Sequence, residues 1–130
     1  MEETKILLVE DEKKIADTVS KGLSELDYHV VTAYDGKIGF RLFESASFNL
    51  IITDINLPGI NGYDLCKTIR SHNQHIPIIM LTAHSERSKV TAARDAGVNE
   101  FCAKPVTATE LFRKVVAIVD STRPFIKHGS

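Results

Sequence analysis

The chain has 130 residues, enough for one ordinary domain and too few for two, and it can bury roughly two thirds of its unfolded surface around a single core. Lys and Arg number 16 against 17 Asp and Glu, a formal net charge of -1, so no basic excess marks a nucleic-acid backbone as a direct ligand. Apolar residues at 43% and charged residues at 25% exclude disordered and fibrous classes, and the longest apolar runs are far too short to cross a bilayer.

Short apolar runs recur at 6–9, 30–33, 50–53, 78–81 and 100–103, and these are predicted strands. Stretches with helical periodicity lie between them. Ile15, Val19, Leu23 and Leu26 recur at intervals of three or four, as do Leu65 and Ile69, then Leu111, Val115 and Val119, each set predicting one apolar stripe turned toward a sheet. Thr107 and Glu110 form a potential capping box for the last helix, and Pro124 blocks its simple continuation.

Five βα repeats predict an α/β, doubly wound fold, a five-stranded parallel sheet with helices on both faces, and the flavodoxin-like order 2-1-3-4-5 is the expected arrangement rather than one the alternation fixes. The domain is expected over 1–120, with 121–130 a C-terminal tail, either a linker stub or an expression remnant. The charged N-terminus lacks the apolar stretch of a secretory signal, which predicts a cytoplasmic protein. Cys66 and Cys102 lack paired spacing and are expected to be small buried residues. His72 and His75 have no acid or Cys to complete a metal site.

In such a sheet the ligand crevice lies beyond the carboxyl ends of the strands, where the strand order reverses. The polar residues there are Glu10 and Asp11 after the first strand, Asp54 after the third, Thr82 after the fourth and Lys104 after the fifth. Three carboxylates brought together should raise at least one pKa unless a cation offsets them, and a hard divalent ion such as Mg²⁺ with retained waters fits an all-oxygen set. An exposed Asp54 beside a metal and faced by Lys104 would be placed to attack phosphorus and form an acyl phosphate.

Taken singly, each feature has a plainer explanation. Glu10 and Asp11 could favour a helix N-terminus, Asp54 could be a turn acid ahead of Pro58 and Gly59, and Lys104 could be a solvated loop lysine. The specificity lies in the combination and its order along the chain.

From residue 5 to about residue 120 the chain resembles the response-regulator receiver family, the CheY-like domains of two-component signalling. The run Ile6-Leu7-Leu8-Val9-Glu10-Asp11-Glu12, Asp54 followed by Leu57-Pro58-Gly59 and Asn61-Gly62, Thr82-Ala83, and Lys104-Pro105 carry the resemblance. It implies that Glu10, Asp11, Asp54 and the backbone carbonyl of Asn56 bind Mg²⁺, with Mn²⁺ able to serve in its place. It also implies that Asp54 is the phosphoacceptor. Lys104, the Thr82 hydroxyl and the Ala83 amide would hold phosphoryl oxygens, and Thr82 and Phe101 would act as switch residues. The Lys104-Pro105 peptide is commonly cis in this family.

Departures from the family pattern are mild. Glu10 stands where many relatives have Asp, and Val106 replaces a common Phe. Asn99 and Glu100 occupy positions often held by two acids in transcription-factor receivers, which weakens the case for their type of homodimer. Asn56 and His84 sit where the family tunes acyl-phosphate lifetime.

The implied partner is a sensor histidine kinase or histidine phosphotransfer domain. The chain itself is expected to catalyse its own phosphorylation and dephosphorylation without being an enzyme in the ordinary sense. The segment 85–96, with Arg87, Lys89, Arg94 and Asp95, offers Val90 as its only sizeable aliphatic residue. It is expected to be weakly anchored and to relay the signal with the strand at 100–103. Competing readings are a haloacid-dehalogenase-type enzyme, a flavodoxin-like cofactor binder and a phosphate-independent interaction module. The first expects a second Asp where Asn56 stands and acids after the nucleophile, and the second expects a Gly-rich phosphate loop that this sequence lacks.

Overall fold

The computed structural model describes residues 3–82, 90–104 and 108–122. In chain order the elements are β1 (Lys5–Val9), α1 (Lys13–Glu25), β2 (His29–Ala33), α2 (Gly36–Ser45) and β3 (Leu50–Asp54). They continue as α3 (Gly62–His72), β4 (Ile78–Thr82), α4 (Val90–Asp95), β5 (Glu100–Ala103) and α5 (Ala108–Thr122). All strand pairs are parallel, as the alternation predicts, and the sheet order β2-β1-β3-β4-β5 is the expected flavodoxin-like one.

The sheet separates two apolar layers. Leu7, Val9, Ile51, Ile78 and Met80 face one side with Leu65, Cys66 and Ile69 of α3, while Ile6, Leu8, Ile52, Ile79 and Leu81 face the other with α1 and α5. Every residue of β3 and β4 is buried, which explains their unbroken apolar runs: both faces of these central strands are covered. β2, at one edge, is only partly buried. Cys66 and Cys102 are free and buried, as their spacing predicts.

Leu26 departs from the predicted stripe and is 43% exposed. The helix ends one residue earlier, at Glu25, in a Schellman motif: the Asp27 amide donates to Ser24 and the Tyr28 amide to Leu23. Asp27 takes the left-handed conformation at φ 67 that this reversal requires. Leu26 is therefore the C-cap, turned away from the face that buries Ala16, Val19 and Leu23.

Two loops at the carboxyl end of the sheet are held by short polar side chains. Asp35 caps α2 by accepting from the Ile38 amide at 2.8 Å, and Asn61 caps α3 by accepting from the Asp64 amide at 3.0 Å. Gly62 lets α3 begin hard against the end of β3, because a Cβ there would collide with the Asp54 carbonyl oxygen. Thr107, Pro105, Val106, Pro124, Ala83, His84 and residues 85–89 lie outside the described residues. The capping box, the isomer of the Lys104-Pro105 peptide and residues 85–89 of the weakly anchored segment fall with them.

Candidate functional site

β1 and β3 are neighbours where the sheet order reverses, and Val9 pairs with Thr53 at the end of their ladder. The next residue on each strand, Glu10 and Asp54, therefore emerges on the same rim. Carboxylate oxygens of Glu10, Asp11 and Asp54 all lie within 4.8 Å of one another, the one such group of potential metal ligands among the described residues.

Asp54 differs from the expectation in one respect: it is the last residue of β3, pairing with Leu81, and only 5% exposed. Its Oδ1 accepts from the Ile55 amide at 2.7 Å and its Oδ2 from Lys104 Nζ at 2.7 Å. Lys104 reaches across from the end of β5, where its own amide donates to the Thr82 carbonyl at 2.6 Å. Thr82 is buried at the end of β4, next to the residue that pairs with Asp54. Asn56 lies in the exposed turn after β3, and Ala83 is outside the described residues.

Glu10 is fully buried. Its Oε2 accepts from the Glu12 amide at 3.0 Å, but Oε1 has no hydrogen-bond partner, although Lys104 Nζ lies 3.3 Å away. Burial pushes the Glu10 carboxyl up to about 7. The Glu12 amide and Lys104 oppose the rise, and the charge of Asp54 adds to it. Repulsion among the acids was the expected cause of a raised pKa, and it is secondary to desolvation. Burial also acts to lower Lys104, but the hydrogen bond and charge of Asp54, with Glu10, outweigh it and hold its ammonium above its usual range.

Three clustered carboxylates, with one buried Glu10 oxygen left without a hydrogen bond and only Lys104 opposite as a counter-charge, are the chemistry a hard divalent cation satisfies, so the residues present fit Mg²⁺.

Phe101 is half-buried against the α2 and α3 layer, with the Arg94 guanidinium 5.6 Å from its ring centroid. Lys114 of α5 donates to its carbonyl at 2.7 Å. Sequence reasoning passed over Glu12, whose Oε1 lies 3.8 Å from Lys104 Nζ, and Arg70, which donates to the Gly97 carbonyl and to Asn99. A glutamate at a helix N-cap, where shorter polar residues are favoured, was the signal available for Glu12.

A doubly wound parallel sheet with this acidic cluster and lysine at its switch point is the architecture of a receiver-type domain. The family model "Response regulator receiver domain" matches residues 6–116, and the chain belongs to that family. It is 39% identical over 116 residues to "Response regulator ArlR" of Staphylococcus saprophyticus, covering 89% of this chain and 52% of that one. It is 37% identical over 111 residues to "Transcriptional regulatory protein CusR" of Escherichia coli, covering 85% and 49%. The chain thus spans about half the length of the curated relatives it matches.

Among solved structures, a putative response regulator from Chloroflexus aurantiacus superposes with a TM-score of 0.87 at 33% identity, covering 92% of this chain and 99% of that one. Chemotaxis response regulator CheY4 of Vibrio cholerae superposes with a TM-score of 0.85 at 29% identity, covering 90% and 99%.

Proposed function

We propose that this receiver domain is a phosphoacceptor switch that takes a phosphoryl group onto Asp54 from a phosphohistidine on a sensor histidine kinase or histidine phosphotransfer domain. The observation that carries this reading is the Asp54 carboxylate itself, held between the Ile55 amide and Lys104 at the rim shared with Glu10 and Asp11.

Glu10, Asp11, Asp54 and the Asn56 carbonyl are the residues assigned to hold Mg²⁺. When bound, the ion supplies charge neutralisation for the transferring phosphoryl oxygens. A carboxylate oxygen of Asp54 attacks phosphorus while the phosphorus–nitrogen bond of the donor breaks, its electron pair returning to the imidazole ring. Lys104, already at hydrogen-bond distance from Asp54, moves its ammonium onto a phosphoryl oxygen, and the Thr82 hydroxyl and Ala83 amide close on another. Water attack on the acyl phosphate at the same site would restore the carboxylate.

Movement of Thr82 and of the Phe101 ring would then alter the α4-β5-α5 face, where Arg94, Glu100 and Lys114 already meet around Phe101. The near-zero net charge assigns no nucleic-acid contact to this chain, and no described helix is long and apolar enough to cross a membrane. We assign it to the cytoplasm.

Intact-mass spectrometry after incubation with acetyl phosphate and Mg²⁺ tests the reading. The expected result is a gain of one phosphoryl group, absent in Asp54→Asn, absent with EDTA and lost in base. A folded protein that gains no label would overturn it in favour of a phosphate-independent interaction module.

A further inference from the structure

Glu12 is the residue around Lys104 that the phosphoacceptor reading leaves without a role. It occupies the N-cap of α1, yet its side chain makes no capping hydrogen bond. Its carboxylate instead approaches Lys104 Nζ to 3.8 Å and is 63% exposed, whereas Glu10 and Asp54 face the same ammonium from buried positions. The backbone is not free to carry it elsewhere: the Glu12 amide is bonded to Glu10 Oε2 and its carbonyl accepts from Ala16 at 2.9 Å. Glu12 therefore stands at the solvent mouth of the pocket, one negative charge beyond the set that a divalent ion and Lys104 neutralise.

Resting on the phosphoacceptor reading, we infer that Glu12 is a specificity-determining residue: its charge at the mouth selects against strongly anionic small-molecule phosphodonors. A phosphoryl group entering past it feels a repulsion that scales with the donor's charge. At neutral pH acetyl phosphate is doubly negative and phosphoramidate singly negative. Across roughly 8 Å of water, a one-charge difference is worth about a two- to threefold rate ratio.

The experiment measures Asp54 labelling rates with both donors, in Mg²⁺, for the wild type, Glu12→Gln and Glu12→Lys. At low salt the acetyl phosphate to phosphoramidate ratio should rise about two- to threefold in Glu12→Gln and about four- to ninefold in Glu12→Lys. Both increases should vanish near 1 M salt, where screening acts within about 3 Å. The melting temperature of Glu12→Gln should move little, because the side chain caps nothing, whereas Glu12→Lys, with a cation beside Lys104 at a helix N-terminus, should melt slightly lower while staying folded. An unchanged ratio in both variants, or a change that survives high salt, overturns the inference while leaving the phosphoacceptor reading intact. A wild type labelled by neither donor overturns that reading, and the inference with it.

Discussion

Arg70 holds Gly97 by two hydrogen bonds, from Nε at 3.0 Å and from Nη2 at 2.8 Å to the same carbonyl oxygen. The end of α3 is thereby fixed to the turn between α4 and β5. Nη2 also reaches Asn99 Oδ1 at 2.8 Å, and that oxygen accepts from the Ile78 amide as well. Asn99 thus serves two donors at the start of β4 and β5. Arg70→Ala should lower unfolding free energy by about 2–3 kcal/mol in urea titrations, since charge-assisted bonds to partly buried carbonyls are lost. Arg70→Lys should recover little of it, because an ammonium cannot reproduce the planar fork.

Lys104 is the cation facing buried Glu10 and Asp54. Lys104→Met should destabilise the metal-free domain by about 2–4 kcal/mol, the penalty being the uncompensated carboxylates. Mg²⁺ should raise the melting temperature of this variant more than that of the wild type. Equal shifts in the two proteins would show that the ion and the lysine do not serve the same acids.

Gly62→Ala should cost about 2–3 kcal/mol, because the new methyl group meets the Asp54 carbonyl and the Ile55 Cα and the loop must shift. The same shift displaces Asp54, so Mg²⁺-dependent labelling should fall even at temperatures where circular dichroism reports a folded chain.

Burial pushes the Cys66 thiol up to about 12 from its usual 9.0, with Arg70 opposing. The group is an acid whose folded pKa lies above its unfolded one, so it contributes stability fully below about pH 9 and loses it as pH rises toward 12. The urea midpoint of the wild type should therefore fall between pH 9 and 11 more steeply than that of Cys66→Val. Iodoacetamide should label Cys66 far more slowly in the native protein than in urea.

Leu26→Ser should change stability by no more than about 0.5 kcal/mol, whereas Leu23→Ala, three residues earlier on the buried face, should cost about 2–5 kcal/mol. Thermal melts of the pair test where α1 ends.

These contrasts mark what the sequence could and could not convey. Periodicity places Val19 and Leu23 correctly because burial repeats with the helix, but it names Ile15, which is only partly buried, where Ala16 takes the buried position. It carries Leu26 one residue too far, since a Schellman ending depends on Asp27 adopting positive φ, which no apolar pattern encodes. Glu10, Asp11, Asp54 and Lys104 were legible because chemistry at strand ends converges in a doubly wound sheet. That Asp54 is buried, and that desolvation dominates at Glu10, follows from side-chain packing across the rim and is invisible in the order of residues.

Asp54 and Lys104 are separated by 50 residues of chain, and three strands must pair before they meet. A ribosome adding about 5–20 residues per second takes roughly 3–10 s to cover that interval. Throughout it the acids of the first and third strands exist without their lysine, and the pocket has no cation of its own. On the phosphoacceptor reading, a nascent chain therefore cannot yet answer a phosphodonor, and only a finished sheet brings the lysine to the acids.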